Sequence, residues 1–147
     1  SLKNSNILDL YSGIGSFGIE CISRGAKKTT FVENNTNALE ILEKNIELLK
    51  IEKKTKIQKT KIISFLKQPK IDDSYEIIFF DPPFSENYFL EELKIIKNSN
   101  IYKTNHLIII HRDIKSKDNF LNIMKIFMTK KYGRSKILFG NFKLNTV

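Results

Sequence analysis

At 147 residues, with 41% hydrophobic and 28% charged side chains, the chain has the composition of one globular domain with its own core. No run reaches the roughly 18 apolar residues of a membrane span, and the N-terminus enters a strand pattern directly rather than a signal peptide. The net charge of +9 invites a polyanionic partner, but all except three of the 25 basic residues are Lys, in a chain rich in Asn and Ile, as AT-biased coding also produces.

Strands and helices alternate from the start. Residues 5–10 (SNILDL) form a short apolar run stopped by glycines, which predicts a buried strand. A helix over 16–23 ends at Arg24-Gly25, and its Phe17–Cys21 spacing predicts that Cys21 is buried. As the single cysteine, it excludes an internal disulfide and fits a reducing, cytoplasmic setting. The β-branched and aromatic stretch 29–32 (TTFV) predicts a second strand. Apolar residues at helical spacing from Ala38 to Leu49 predict a helix over 37–49.

A weaker third strand follows at 56–59, then a short helix over 62–67 closed by Pro69. The almost continuous apolar run 75–80 (YEIIFF) marks a central strand covered on both faces. A helix over 90–97 and a buried strand over 106–110 (HLIII) come next, then a partial helix over 119–123. Segments 126–131 and 136–142 flank Tyr132-Gly133-Arg134-Ser135, so the chain closes on an antiparallel hairpin. Alternation of this kind implies one α/β domain over 1–147, with a mostly parallel sheet and its ligand along the strand C-termini.

The stretch DLYSGIGSFG (9–18) places Gly13, Gly15 and Gly18 in a G-x-G-x-x-G pattern between a strand and a helix. Backbone amides there can approach a ligand closely. Glu33, at the end of the second strand, is placed to accept hydrogen bonds from ribose hydroxyls. Both features indicate an adenosine-containing cofactor without saying which. Asp9 separates the candidates, because an acid four residues before the turn opposes a pyrophosphate and suits the ammonium and sulfonium of S-adenosylmethionine. A carboxylate that only shapes the turn through its amides is the other reading of Asp9.

Asp81-Pro82-Pro83-Phe84 follows the fourth strand, where parallel topology sets it beside the glycine turn. Consecutive prolines fix the backbone φ angles and remove amide donors, leaving carbonyl oxygens as acceptors. The Asp81 carboxylate and the Pro82 carbonyl can then accept both hydrogens of an exocyclic amine and expose its lone pair. Phe84 is suited to stacking on the base.

With LDLYSGIGSFGIECISRGA (8–26), FVENN (31–35) and FFDPPF (79–84), the chain resembles the RsmD-type RNA methyltransferases. The resemblance implies transfer of a methyl group from S-adenosylmethionine to the exocyclic N2 of a guanine in 16S rRNA. It implies a Rossmann-like class I methyltransferase fold: a seven-stranded, mostly parallel sheet with helices on both faces and a C-terminal antiparallel hairpin. The partner would be 16S rRNA or the small ribosomal subunit, and the enzyme a monomer without metal or membrane. Asp9, Ser12, Gly13 and Gly15 would surround the methionine part, with Tyr11 and Gly18 completing that loop. Glu33 would hold the ribose, Asn34 would lie beside the adenine, and Asp81, Pro82, Pro83 and Phe84 would form the catalytic loop.

Two departures carry expectations. Where the family places Asp or Asn to bind the adenine amine, this chain has Lys61, so that contact falls to backbone near Ile62. The family also carries a segment before the first strand that this sequence does not show, so the isolated chain is expected to bind cofactor weakly and turn over poorly. Tyr88 and Phe89 are read either as a lid over the target base or as core of the next helix. Lys130, Lys131, Arg134 and Lys136 cluster at the hairpin as candidate phosphate contacts. His111 reads as a hydrogen-bonded strand-end residue, and with His106 it lacks the partners of a metal site. A DNA adenine-N6 methyltransferase would share the catalytic quartet. A non-catalytic RNA-binding or ribosome-assembly domain would not need it intact, and a nicotinamide dehydrogenase leaves it unexplained.

Overall fold

Apolar runs of five or six residues, too short for core helices, pair as strands wherever a turn residue releases them to the next crossover. The computed structural model describes residues 2–85 and 88–143. Among these, seven strands form one sheet: β1 (Asn6–Leu10), β2 (Lys28–Glu33), β3 (Thr55–Lys59), β4 (Tyr75–Phe80), β5 (Tyr102–Asp113), β6 (Lys125–Tyr132) and β7 (Ser135–Asn141). Their spatial order is β3-β2-β1-β4-β5-β7-β6. The first five are parallel, and β7 pairs antiparallel with both β5 and β6. The mixed sheet, mostly parallel with an antiparallel hairpin at its end, is the architecture that the alternation predicts.

Successive side chains on a strand point to opposite faces, which divides the core in two. Leu8, Leu10, Ile78 and Phe80 pack with helices α3 (Ile62–Leu66) and α4 (Phe89–Ser99) on one face. Ile7, Phe31 and Ile77 meet helices α1 (Ser16–Ser23) and α2 (Thr36–Leu49) on the other. Helix α2 starts on an N-cap, the Asn35 carboxamide oxygen accepting from the Ala38 N–H at 2.9 Å, and buries Leu39, Leu42 and Ile46. Each such fully buried aliphatic or aromatic side chain contributes about 1.5–3 kcal/mol.

Two expectations are corrected. No helix forms over 119–123: the Asn119 carboxamide takes the Leu121 N–H at 3.0 Å, and Asn122 has a φ of 63°. These local bonds leave a single turn, closed by the Phe120 carbonyl accepting from Ile123 and Met124. Strand β5 is also longer than the apolar run 106–110. It begins on exposed polar residues and overhangs the end of β4, because β7 pairs His111, Arg112 and Asp113 with Ile137, Lys136 and Ser135.

Helix α1 lies so close to the sheet that a Cβ on Gly18 would collide with the Phe31 ring and the Thr29 methyl. We therefore expect Gly18→Ala to lose about 1–3 kcal/mol of stability in urea unfolding, as overpacking does. Unchanged stability would show that this spacing is elastic.

Candidate functional site

Right-handed crossovers bring the C-termini of β1, β2, β3 and β4 to one edge of the sheet. The turn after β1 is held there from three sides. The Asp9 Oδ2 accepts the Gly18 N–H at 3.1 Å, the Ser12 N–H donates to the Val32 carbonyl at 3.2 Å, and the Gly13 N–H donates to Glu33 Oε1 at 2.8 Å. Gly15 caps α1 with a φ of 90°, a conformation that side chains resist, and a Cβ there would also strike Leu42. Tyr11, although not a glycine, sits at a φ of 59°, a strained placement of the kind found at functional sites.

Asp9 shapes the turn with one oxygen only. It is 1% exposed, and its second oxygen, Oδ1, has no hydrogen-bond partner among the described residues. Burial pushes its pKa up to about 8. The Gly18 N–H opposes that rise, and the neighbouring Asp81 and Glu33 carboxylates add to it. The Ser12 hydroxyl is likewise buried without a partner. Both atoms belong to residues lining a cavity of about 300 Å³ with Gly13, Phe17 and Asp81.

Glu33 is more heavily used than its sequence position suggests. Besides the Gly13 N–H, its Oε2 accepts from Asn34 at 3.2 Å and from Asn35 at 2.9 Å. A carboxylate offers about four lone-pair positions, so these three bonds leave room for one further donor. Glu33 therefore organises the turn and keeps one acceptor position for a further donor.

The loop Asp81–Phe84 hangs from the end of β4, with the Asp81 N–H donating to the Leu10 carbonyl of β1 at 3.3 Å. Pro82 is buried, whereas Asp81 and Phe84 are exposed. These residues line a second cavity, about 480 Å³, with Tyr11, Glu33 and Asn34. A third, about 430 Å³, is lined by Tyr11, Glu33, Asn34, Lys61, Ile62 and Tyr88, among others. Tyr11 borders all three, and Asp81 borders the first two, so the glycine turn and the Pro-Pro loop line adjoining cavities along one crevice edge.

The crevice gathers Asp9, Tyr11, Ser12, Gly13, Glu33, Asn34, Ile62 and Asp81–Phe84 from the residues singled out in the sequence. Gly18 lies outside its lining: its N–H serves Asp9 and its missing side chain serves packing. Tyr88 borders the end near Ile62 rather than the cavity around Phe84, and Phe89 is core. Lys130, Lys131 and Arg134 line none of these cavities. They lie further along the same sheet edge, because β6 and β7 turn around beside the end of β5.

The strongest support for the loop escaped sequence reasoning. Arg112, its side chain 3% exposed, donates from Nη1 to the Pro83 carbonyl at 3.2 Å and from Nη2 to the Phe84 carbonyl at 3.3 Å. Its charge is matched by Asp118 through a 2.8 Å bond from Nε and a 3.2 Å bond from Nη2, and its guanidinium lies 4.6 Å from the Phe89 ring centre. The buried Glu92, which accepts the Tyr11 hydroxyl at 2.6 Å, was missed as well. Neither has a motif; only the adjacency of β4 and β5, and the first turn of α4, could have pointed to them.

The family model described as Conserved hypothetical protein 95 matches residues 1–141. A ribosomal RNA small subunit methyltransferase D of Haemophilus influenzae is 33% identical over 113 residues, 76% of this chain and 58% of that protein. Its counterpart from Buchnera aphidicola subsp. Baizongia pistaciae is 35% identical over 112 residues, 76% of this chain and 56% of that protein. The chain thus spans a little over half the length of these curated relatives. A solved Haemophilus influenzae structure, assigned as a methylase, superposes with a TM-score of 0.84 at 28% identity, covering 97% of this chain and 89% of that one. Matched over its motifs, its crevice and its whole sheet, the chain belongs to the Conserved hypothetical protein 95 family, the RsmD-type methyltransferases.

Proposed function

We propose that the chain is an S-adenosylmethionine-dependent methyltransferase acting on the exocyclic N2 of a guanine in 16S rRNA. The observation that carries this reading is the pair of adjoining cavities, one lined by the glycine turn and one by the Pro-Pro loop, that share Tyr11 and Asp81. The residues fit the cofactor. The orphaned oxygens of Asp9 and Ser12 suit its ammonium group, and the last acceptor position of Glu33 suits a ribose hydroxyl. The Glu33 and Asp81 carboxylates, with Asp9 ionising more readily beside a positive group, favour a cation over a pyrophosphate. Lys61, which lines the far cavity, cannot accept from an adenine amine, so that contact falls to backbone near Ile62.

Bound there, S-adenosylmethionine supplies an electrophilic methyl group. The protein's part is to orient the acceptor. Asp81 and the Pro82 carbonyl accept the two amine hydrogens, which frees the nitrogen lone pair for in-line attack. Phe84, 43% exposed, offers its ring to a guanine displaced from its stack. Preorganised acceptors act by positioning and by stabilising the positive charge that grows on nitrogen. Lys130, Lys131 and Arg134, further along the same edge, supply phosphate contacts, and Tyr88 lies on the side of the crevice given to the cofactor.

Calorimetry should show S-adenosylhomocysteine binding, no NAD binding, and at least tenfold weaker affinity in Glu33→Ala; preference for NAD overturns the reading. Radiolabelled methyl transfer offered to small subunits, free 16S rRNA and DNA should label the ribosomal arms as N2-methylguanine. Asp81→Ala is expected to lower the rate by about 10²–10³-fold. Preferential labelling of DNA adenine would redirect the substrate assignment, and equal labelling by the variant would remove Asp81 from the mechanism.

Asp9 sets a pH dependence. With its folded pKa raised to about 8 from 3.8, the folded chain holds a proton that the unfolded chain releases. Stability should therefore fall as pH rises from about 4 to about 8, then level off. An ammonium group favours ionised Asp9, so S-adenosylhomocysteine binding should release a proton at pH 7. Asp9→Asn should flatten the stability slope and abolish the release; a wild-type profile in the variant would exclude Asp9 as the source.

A further inference from the structure

The backbone of the catalytic loop is fixed three times over, but its carboxylate is not. Two prolines set the φ angles, the Leu10 carbonyl takes the Asp81 N–H, and Arg112 takes the carbonyls of Pro83 and Phe84. None of these contacts touches the Asp81 side chain, which is 45% exposed. A half-exposed carboxylate that must present one chosen oxygen to an amine needs a second hold.

His111 supplies it. The residue lies one step beyond Ile110, the last partner of β4, and its backbone is anchored by pairing with Ile137 of β7. Its Nδ1 is 2.8 Å from Asp81 Oδ1, and the Phe84 ring stands edge-on to the imidazole with centres 5.2 Å apart. An ionised carboxylate only accepts, so the neutral imidazole must carry its proton on Nδ1.

Building on the methyltransferase reading, we propose that His111 is a positioning residue: its Nδ1–H pins Asp81 Oδ1 so that Oδ2 faces the target amine. In the transfer, the amine lone pair forms the new C–N bond as the C–S bond breaks, and that electron pair stays on sulfur. The surplus proton on nitrogen passes to Asp81 Oδ2 and from there to water. Held by His111, the carboxylate meets the amine in one orientation; released, it spends its time among several.

Two measurements on the full chain test this. Proton–nitrogen correlation spectra of the neutral imidazoles should show His111 as the Nδ1–H tautomer, converting to Nε2–H in Asp81→Ala. The chain has two histidines, so His111→Asn assigns the signals by subtraction. In methyl transfer, His111→Ala should lower kcat by about 10–100-fold, with KM for RNA and affinity for S-adenosylhomocysteine within about twofold of wild type. His111→Asn, which keeps a donor near the Nδ1 position, should restore most of kcat. An Nε2–H tautomer in the wild type, an unchanged kcat in His111→Ala, or a folded His111→Asn as slow as His111→Ala would each overturn the proposal. A wild-type chain that labels no RNA and prefers NAD to S-adenosylhomocysteine would instead defeat the methyltransferase reading, while the tautomer would still decide the contact.

Discussion

The parallel ladder between β1 and β4 ends on the pair Leu10–Phe80, and the Asp81 N–H extends it by one rung to the Leu10 carbonyl. That rung sets the distance between the two chemical halves of the site. Immediately beyond it, β1 enters the glycine turn and β4 enters the Pro-Pro loop, so the halves diverge from a common origin. Ile7, Leu8, Leu10, Ile78 and Phe80 keep this pair of strands buried from both sides. The site is thus placed by the best-buried part of the molecule, and the loops need only fix their own conformations.

Those loops are fixed by polar groups that water cannot easily replace. Glu33 collects three backbone amides from two segments, Asp9 holds the first turn of α1, and Arg112 with Asp118 ties the catalytic loop to residues beyond β5. A buried pair such as Arg112–Asp118 contributes little net stability by itself, but losing one partner strands a charge and is costly. Its value here is geometric. The acids carry the opposite cost: burial above all, with Asp81 and Glu33 adding to it, raises the Asp9 pKa and makes its ionised form expensive. A positive group beside Asp9 would offset that cost.

Much of this was legible in the sequence, and the gaps have physical causes. The strands could be read because buried runs such as YEIIFF allow little else, and the place of Asp81–Phe84 at a strand end because two prolines must stop the strand there. The start of β5 was invisible because Lys103, Thr104 and Asn105 are exposed there, so no burial pattern marks them. The false helix over 119–123 came from apolar residues whose backbone is diverted by the Asn119 side chain. Arg112 carries no sequence signal, since its burial depends on Asp118, Phe89 and two carbonyls that only the fold assembles. Glu33 was placed correctly, but its three amides belong to turns whose closure cannot be counted from residue types.

The overhang of β5 connects these pieces. Because β7 pairs with residues 111–113 after β4 has ended, successive side chains there serve different faces of the sheet. Arg112 reaches the loop carbonyls on the α4 side, while His111 meets the Asp81 carboxylate on the other. The His111 row continues through Ile137 to Lys130, whose ammonium lies 5.9 Å from the Phe139 ring centre. In the next row Lys136 is held by the Ser116 carbonyl at 2.8 Å. The terminal hairpin therefore does two things at once: it lengthens the strand that braces the Pro-Pro loop, and it sets basic side chains in register with that loop. A polyanion lying along this edge would meet positive charge a few strands from Asp81, with both ends held by the same hydrogen-bond ladder.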